Sequence, residues 1–386
     1  MGRPQPVHWL LRHPVANAES RESAALLVGA SAFVVGLLPA AIALWGEDVP
    51  IAGPGSVGQF VALASAVTAV LVFISARVLV NASATTGARL SQSGRRPGLR
   101  LRWYDIGALA LAHGMVALLA WLGIAGLLSR SFAGAVLFPF SAMVLAAVGI
   151  SVTAYAVFLS AVSLTPILLS LILAVFVVVG CFASMLSASD AHWWQANLST
   201  LGISDDISAL AFNLTLLIAG IIVTTIAHYA TASIPAGTPE EARGRKRVRG
   251  ALVLIGVMLA GVGVFPLDQN MTAHNVAASG MVLVFLTMVI RIRWWIPSLP
   301  RVFEFLGYLD VAIIAVLAVL FLTGYYNLTA VELVAVVLVF SWLIVFLRHA
   351  GMMSPGEYDE VAAGESEAPA AHGNGGSGAS RHTPAD

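Results

Sequence analysis

From Phe132 to Ser189 the chain carries no Asp, Glu, Lys or Arg. A domain folded in water needs polar groups distributed along its whole length, so a charge-free stretch of this size belongs in the hydrocarbon of a bilayer. The remainder agrees with that assignment. Of 386 residues, 59% are apolar and only 10% charged, with a mean hydropathy of +0.88. An ordinary soluble domain is roughly 45–50% apolar and about 25% charged. A soluble globular enzyme is excluded, and the expected class is an all-α polytopic integral membrane protein.

A spanning helix takes about 20 mostly apolar residues. Ten segments qualify, at 24–45, 58–80, 105–128, 134–158, 166–187, 207–230, 250–266, 273–291, 309–325 and 329–347. Thr165-Pro166 divides the charge-free run into two helices, since threonine caps a helix and proline suits its first turn. The first segment is too long for the ~7–15 residue core of a cleaved signal peptide and reads as a retained helix. With both termini in the cytoplasm, every basic residue except Arg130 falls on the inner side. The clusters are Arg3 to Arg21, Arg77 to Arg102, Arg243 to Arg249, Arg291 to Arg301, and the tail. Positive charge is retained in the cytoplasm during insertion, and a nine-helix count would put the last three clusters outside. Ten helices are therefore expected, with Trp and Tyr pairs such as Trp103-Tyr104 and Trp193-Trp194 at the boundaries.

The resulting organisation is a cytoplasmic segment 1–23, a four-helix extension 24–160, a six-helix core 161–350 and a tail 351–386. The tail is rich in Ala, Gly, Ser and Glu and is expected to be disordered. Cys181 is the only cysteine, so an intramolecular disulfide and a thiolate cluster are excluded. A formal net charge of zero gives no nucleic-acid footprint. The bacterial plasma membrane is the expected location, and membrane lipids are the expected partners.

Polar chemistry concentrates at the outer boundary, in the loop from Asp190 to Asp206 and the turn from Gly263 to Asn275. The candidate site residues are His274, Asp268, Asn213, Asn275, Ser199, Asp205 and Glu332. Several have structural alternatives. Ser204, Asp205 or Asp206 suits the N-cap of the sixth helix, and Asp105 and Asp310 suit caps of the third and ninth. Asn213 could serve interhelical hydrogen bonding, and His113 and His228 could be satisfied within the bundle. Gly256 with Ala260, and Ala273 with Ala277, have the spacing of close helix contacts, whereas Gly261 and Gly263 would loosen the seventh helix.

Catalytic wiring is thin. No HExxH or HxxxH spacing points to zinc, no GxSxG elbow supports a Ser199–His274–Asp268 triad, and no phosphate or dinucleotide loop is present. No metal or cofactor is implied, and the reading leans away from an enzyme.

Two stretches carry a family likeness. Trp193-Trp194-Gln195-Ala-Asn197-Leu-Ser199-Thr200-Leu201-Gly202, followed by Ala211-Phe212-Asn213-Leu214, is one. Gly263-Val264-Phe265-Pro266-Leu-Asp268, followed by His274-Asn275-Val276-Ala277-Ala278, is the other. Together they resemble the bacterial and archaeal membrane family called domain of unknown function 998, a six-helix unit similar to the damage-regulated autophagy modulator proteins and to a GPI-lipid-remodelling relative. The resemblance covers about residues 160–350 and implies an outer-face site near Leu201-Gly202, Phe212-Asn213, Pro266 to Asp268 and His274. It implies no reaction; lipid handling in the relatives suggests an envelope-lipid role by analogy.

Three functions follow in order of support. Lipid binding or an envelope-associated role fits the polar cluster beneath a tryptophan-rich loop. A transporter or permease subunit requires a polar cavity continuing past Asn213 to His228. A membrane-embedded lipid hydrolase requires His274 within hydrogen-bond reach of Ser199 or of two carboxylates.

Overall fold

The computed structural model describes residues 18–46, 48–87, 101–203, 207–234 and 236–352. Among these, ten helices are long and apolar enough to cross a membrane. They are α1 (Ala18–Leu44), α2 (Val57–Gly87), α3 (Trp103–Ser131), α4 (Pro139–Val162), α5 (Pro166–Ser187), α6 (Ile207–Ala230), α7 (Pro239–Val264), α8 (Met271–Trp295), α9 (Arg301–Leu322) and α10 (Leu328–Met352). The chain is a polytopic, essentially all-α membrane protein. A two-residue antiparallel pair joins the α1–α2 turn to the α3–α4 turn, with Val49 opposite Leu137. The lateral surface is oily, with Ile42, Leu186 and Leu322 each at least 78% exposed, as suits contact with lipid tails.

Proline and threonine place the break inside the charge-free run. Thr165 Oγ1 accepts the Leu168 N–H at 3.1 Å, and Pro166 opens α5. Elsewhere the helices outrun their apolar windows. α7 begins at Pro239 rather than near 250, because Thr238 accepts the Glu241 N–H and Glu241 reaches back to the Thr238 N–H. The basic run from Arg243 to Arg249 is therefore helix rather than loop. α9 begins at Arg301 after Pro300, which places Asp310 buried inside the helix instead of at its cap. Asp105 is likewise not the first cap of α3. It lies three residues after Arg102 and accepts that residue's N–H at 3.1 Å. The expected cap at Ser204 to Asp206, the tail beyond residue 352 and the first 17 residues lie outside the described residues.

Two ends of the bundle differ in character. Arg77, Arg102, Arg245, Arg249 and Arg293 gather at one, here the basic end. Trp193, Trp194, Tyr325 and Tyr326 gather at the other, where Asn327 Nδ2 donates to the Trp194 carbonyl at 3.1 Å. α1 packs on α4 and α2 on α3, and α3 meets α5 and α6. α6 holds the centre, touching α3, α5, α7 and α10.

Small residues let α6 and α7 approach closely. A Cβ on Gly220 would lie 2.3 Å from the Gly256 carbonyl oxygen, and one on Gly256 would lie 2.4 Å from Thr224 Oγ1. Gly263 is also a packing residue rather than a loosening one, since its added Cβ would meet the Asn213 carbonyl oxygen at 2.4 Å. Gly220→Ala should therefore separate the two helices and cost about 1–3 kcal/mol. Gly250→Ala, on α7 with open space around it, should be neutral or stabilising because alanine favours helix. Thermal denaturation of the two purified variants in detergent checks this opposition of sign.

Candidate functional site

At the tryptophan-bearing end, the segment after α5 folds back over α6 and α10 as two short 3-10 turns, Trp193–Gln195 and Leu198–Gly202. Its apolar residues Leu198 and Leu201 bury against Phe212. Polar clamps fix its backbone. The Leu198 N–H donates to Glu332 Oε2 at 2.5 Å, and Asn213 Nδ2 donates to the Gly202 carbonyl at 3.0 Å. Glycine is needed at 202, because a Cβ there would lie 2.5 Å from Asn213 Oδ1. Ser199 is thus carried on a turn anchored to two helices.

The partner of Ser199 comes from the α7–α8 connection. α7 closes with the Phe265 N–H on the Gly261 carbonyl, and Asn270 and Gln269 both donate to the Pro266 carbonyl. Asn270 then caps α8, its Oδ1 accepting the Ala273 N–H at 3.0 Å. His274 follows one turn later, 5% exposed. Its Nδ1 lies 2.8 Å from the Phe265 carbonyl oxygen, and its Nε2 lies 3.1 Å from Ser199 Oγ. A carbonyl can only accept, so Nδ1 carries the proton. Nε2 of the neutral ring is then the acceptor and the Ser199 hydroxyl is the donor.

Ser199, Asn213, His274 and Glu332 therefore converge on one loop. Glu332 also lies within electrostatic reach of His274. Asp268 and Asn275 are exposed, and the carbonyl of Phe265 occupies the place a triad would give to Asp268. Asp205 lies outside the described residues. Phe265 as an orienting group left no signal in the sequence, because any residue supplies a carbonyl.

Below this cluster opens a cavity of about 310 Å³ among α6, α7, α8 and α10. Ser199 and Glu332 line it at the tryptophan-bearing end. Its walls are Phe212, Leu216, Leu259, Val262 and other apolar side chains, reaching Val223 and Leu343. A separate cavity of about 380 Å³ opens at the basic end, lined by Arg102, Tyr104, Asp105, Thr225 and His228 above Gly220 and Gly256. His113 has no part in either. It is held by the Leu109 carbonyl and Ser160, at 2.7 and 2.9 Å.

The loop, the α7–α8 turn and the cavity walls all fall in one continuous stretch of chain. Residues 170–349 match a family described as a protein of unknown function (DUF998). The DUF998 stretch runs from the second turn of α5 to the last turn of α10 and holds Ser199, Asn213, His274 and Glu332. Helices α1 to α4 lie outside it. The DUF998 description carries no activity, and no curated protein or solved structure matches the chain.

Proposed function

We propose that this is a multi-pass protein of the bacterial plasma membrane that holds a membrane lipid. The acyl chain lies in the apolar cavity and the polar part lies against Ser199 and Glu332. Both termini are then cytoplasmic and the tryptophan-bearing end faces outward, as the basic residues at the opposite end favour. The cavity carries this reading. At ~1.5 Å per residue, the wall from Phe212 to Val223 is about 16 Å deep, half of a hydrocarbon core of ~30 Å. That is the depth of one leaflet, and it has a polar mouth at the level of headgroups.

Moving an acyl chain from the bilayer into such a cavity gains little by itself, since lipid tails are as apolar as Leu and Val. Selection must come from the polar mouth, which makes Glu332 and Ser199 the specificity elements. The likeness to lipid-handling relatives points the same way by analogy. Transport of a polar solute has less support. The cavity is apolar to its deep end and shares no lining residue with the one that contains His228.

Filling the cavity should displace the lipid. Leu259→Trp and Val336→Trp are each expected to lower the amount of co-purifying lipid about tenfold, a loss of ~1.4 kcal/mol in affinity. Val316→Trp, on the exposed face of α9, should leave it unchanged. Mass spectrometry of lipids extracted after detergent exchange measures this. Equal lipid retention in all three variants would overturn the assignment.

A further inference from the structure

We propose that Ser199 and His274 are an acyl-transfer dyad that cleaves a carboxylic ester of the lipid held in the cavity. This rests on the lipid reading above and adds a reaction to it. Four observations join here. Ser199 lines the cavity at its polar mouth, beside Glu332. His274 Nε2 stands 3.1 Å from Ser199 Oγ, in the tautomer that takes a proton. The histidine itself is 5% exposed, which shields its ring from bulk water. Glu332 sits at the same mouth within electrostatic reach of the ring.

The geometry also selects the bond. With an acyl chain along the apolar walls, the first polar atoms to reach Ser199 are those of its ester group, which joins chain to headgroup. Ser199 Oγ attacks the ester carbonyl carbon as His274 Nε2 takes the hydroxyl proton. The ester C–O bond then breaks, and the leaving alkoxide takes that proton from Nε2. An acyl–Ser199 intermediate remains. Water adds to its carbonyl carbon and gives a proton to Nε2; the acyl C–Oγ bond then breaks, Ser199 Oγ takes that proton back from Nε2, and a fatty acid is released. No oxidant, reductant or metal enters this balance.

The remaining groups position the dyad. Phe265 holds the ring through Nδ1 and faces the positive charge that develops on it. A backbone carbonyl does this less strongly than a carboxylate, and the Glu332 carboxylate supplies the missing negative charge through space. Glu332 also fixes the backbone next to Ser199 through the Leu198 N–H. It is a positioning residue, and Asp268 has no role in the step.

The test uses the full chain in detergent micelles with two probes, a fluorophosphonate and 4-nitrophenyl decanoate. The fluorophosphonate should phosphonylate Ser199, forming a P–O bond, releasing fluoride and passing the hydroxyl proton to His274. Peptide mapping should place the label on Ser199. Ser199→Ala should abolish labelling, and His274→Gln should slow both labelling and ester cleavage by about 10²–10⁴-fold. Ser75→Ala, which removes an exposed hydroxyl on α2 outside the DUF998 stretch, should leave both rates unchanged. His274→Gln keeps Ser199 in place, so it tests the dyad even if Ser199→Ala folds poorly. Wild-type protein that retains lipid yet neither labels nor cleaves would overturn the dyad and leave lipid holding intact. Labelling and cleavage without lipid retention would overturn lipid holding instead. Labelling unaltered by Ser199→Ala would refute the nucleophile assignment.

Discussion

Trp342→Ala should destabilise the packing of α8, α9 and α10 by about 3–5 kcal/mol. Trp342 heads the fully buried side chains of the described residues by volume and is 1% exposed. Its ring lies 4.6 Å from that of Phe303, meets Phe285 edge-on at 5.4 Å and stacks near-parallel on Phe346 at 5.7 Å. Gly307 makes room for it; a Cβ there would lie 2.8 Å from the indole Nε1. In a bilayer the separated helices remain helical, so what alanine removes is van der Waals contact between them, the main attraction such helices have. The indole Nε1 is buried without a hydrogen-bond partner. Trp342→Phe therefore loses no hydrogen bond, keeps the ring contacts and should cost well under half as much. Thermal denaturation in detergent, followed by size exclusion, separates the two; equal losses would mean that the aromatic packing is not what holds these helices.

Helix count and order are legible in the sequence because the bilayer imposes a length that hydropathy can detect. Helix ends are not, because hydropathy reports the apolar stretch while capping decides where the helix begins. Thr238 and Glu241 extend α7 through five basic residues that a hydropathy window discards. α9 likewise starts ahead of its apolar window, at Arg301 after Pro300, which leaves Asp310 inside the helix instead of at its cap. In the candidate site, Ser199, Asn213, His274 and Glu332 stand out as polar groups at helix boundaries. Their pairing does not stand out, since Ser199 and His274 are 75 positions apart. Choosing Asp268 as the orienting group follows from seeking a carboxylate near His274 in sequence. The structure uses the Phe265 carbonyl, which sequence cannot mark. The cavity was equally invisible, because it depends on side-chain sizes on four helices meeting across α6.

Asp105→Leu should cost about 2–4 kcal/mol, and its effect bears on why four helices precede the DUF998 stretch. Asp105 is 3% exposed, and three donors converge on it. Thr225 Oγ1 donates to Oδ1 at 2.9 Å, while Tyr229 Oη and the Arg102 N–H donate to Oδ2 at 3.0 and 3.1 Å. Thr225 and Tyr229 belong to α6, so this one carboxylate fastens α3 to the central helix of the matched segment. Hydrogen bonds to a charged acceptor are worth about 1.5–3 kcal/mol each, but a threonine hydroxyl can turn to a carbonyl of its own helix and recover part of that. Asp105→Asn keeps one carbonyl acceptor and loses the charge, so its cost should fall between wild type and leucine. Thr225→Val removes one donor and should cost less than Asp105→Leu. The double variant Asp105→Leu/Thr225→Val should then be scarcely worse than Asp105→Leu alone, because the bond that Thr225 made to Oδ1 is already gone. Thermal denaturation of the four proteins measures that coupling. Strict additivity would show that the Thr225 bond does not fasten α3 to α6, and would leave Tyr229 and helix packing to hold them.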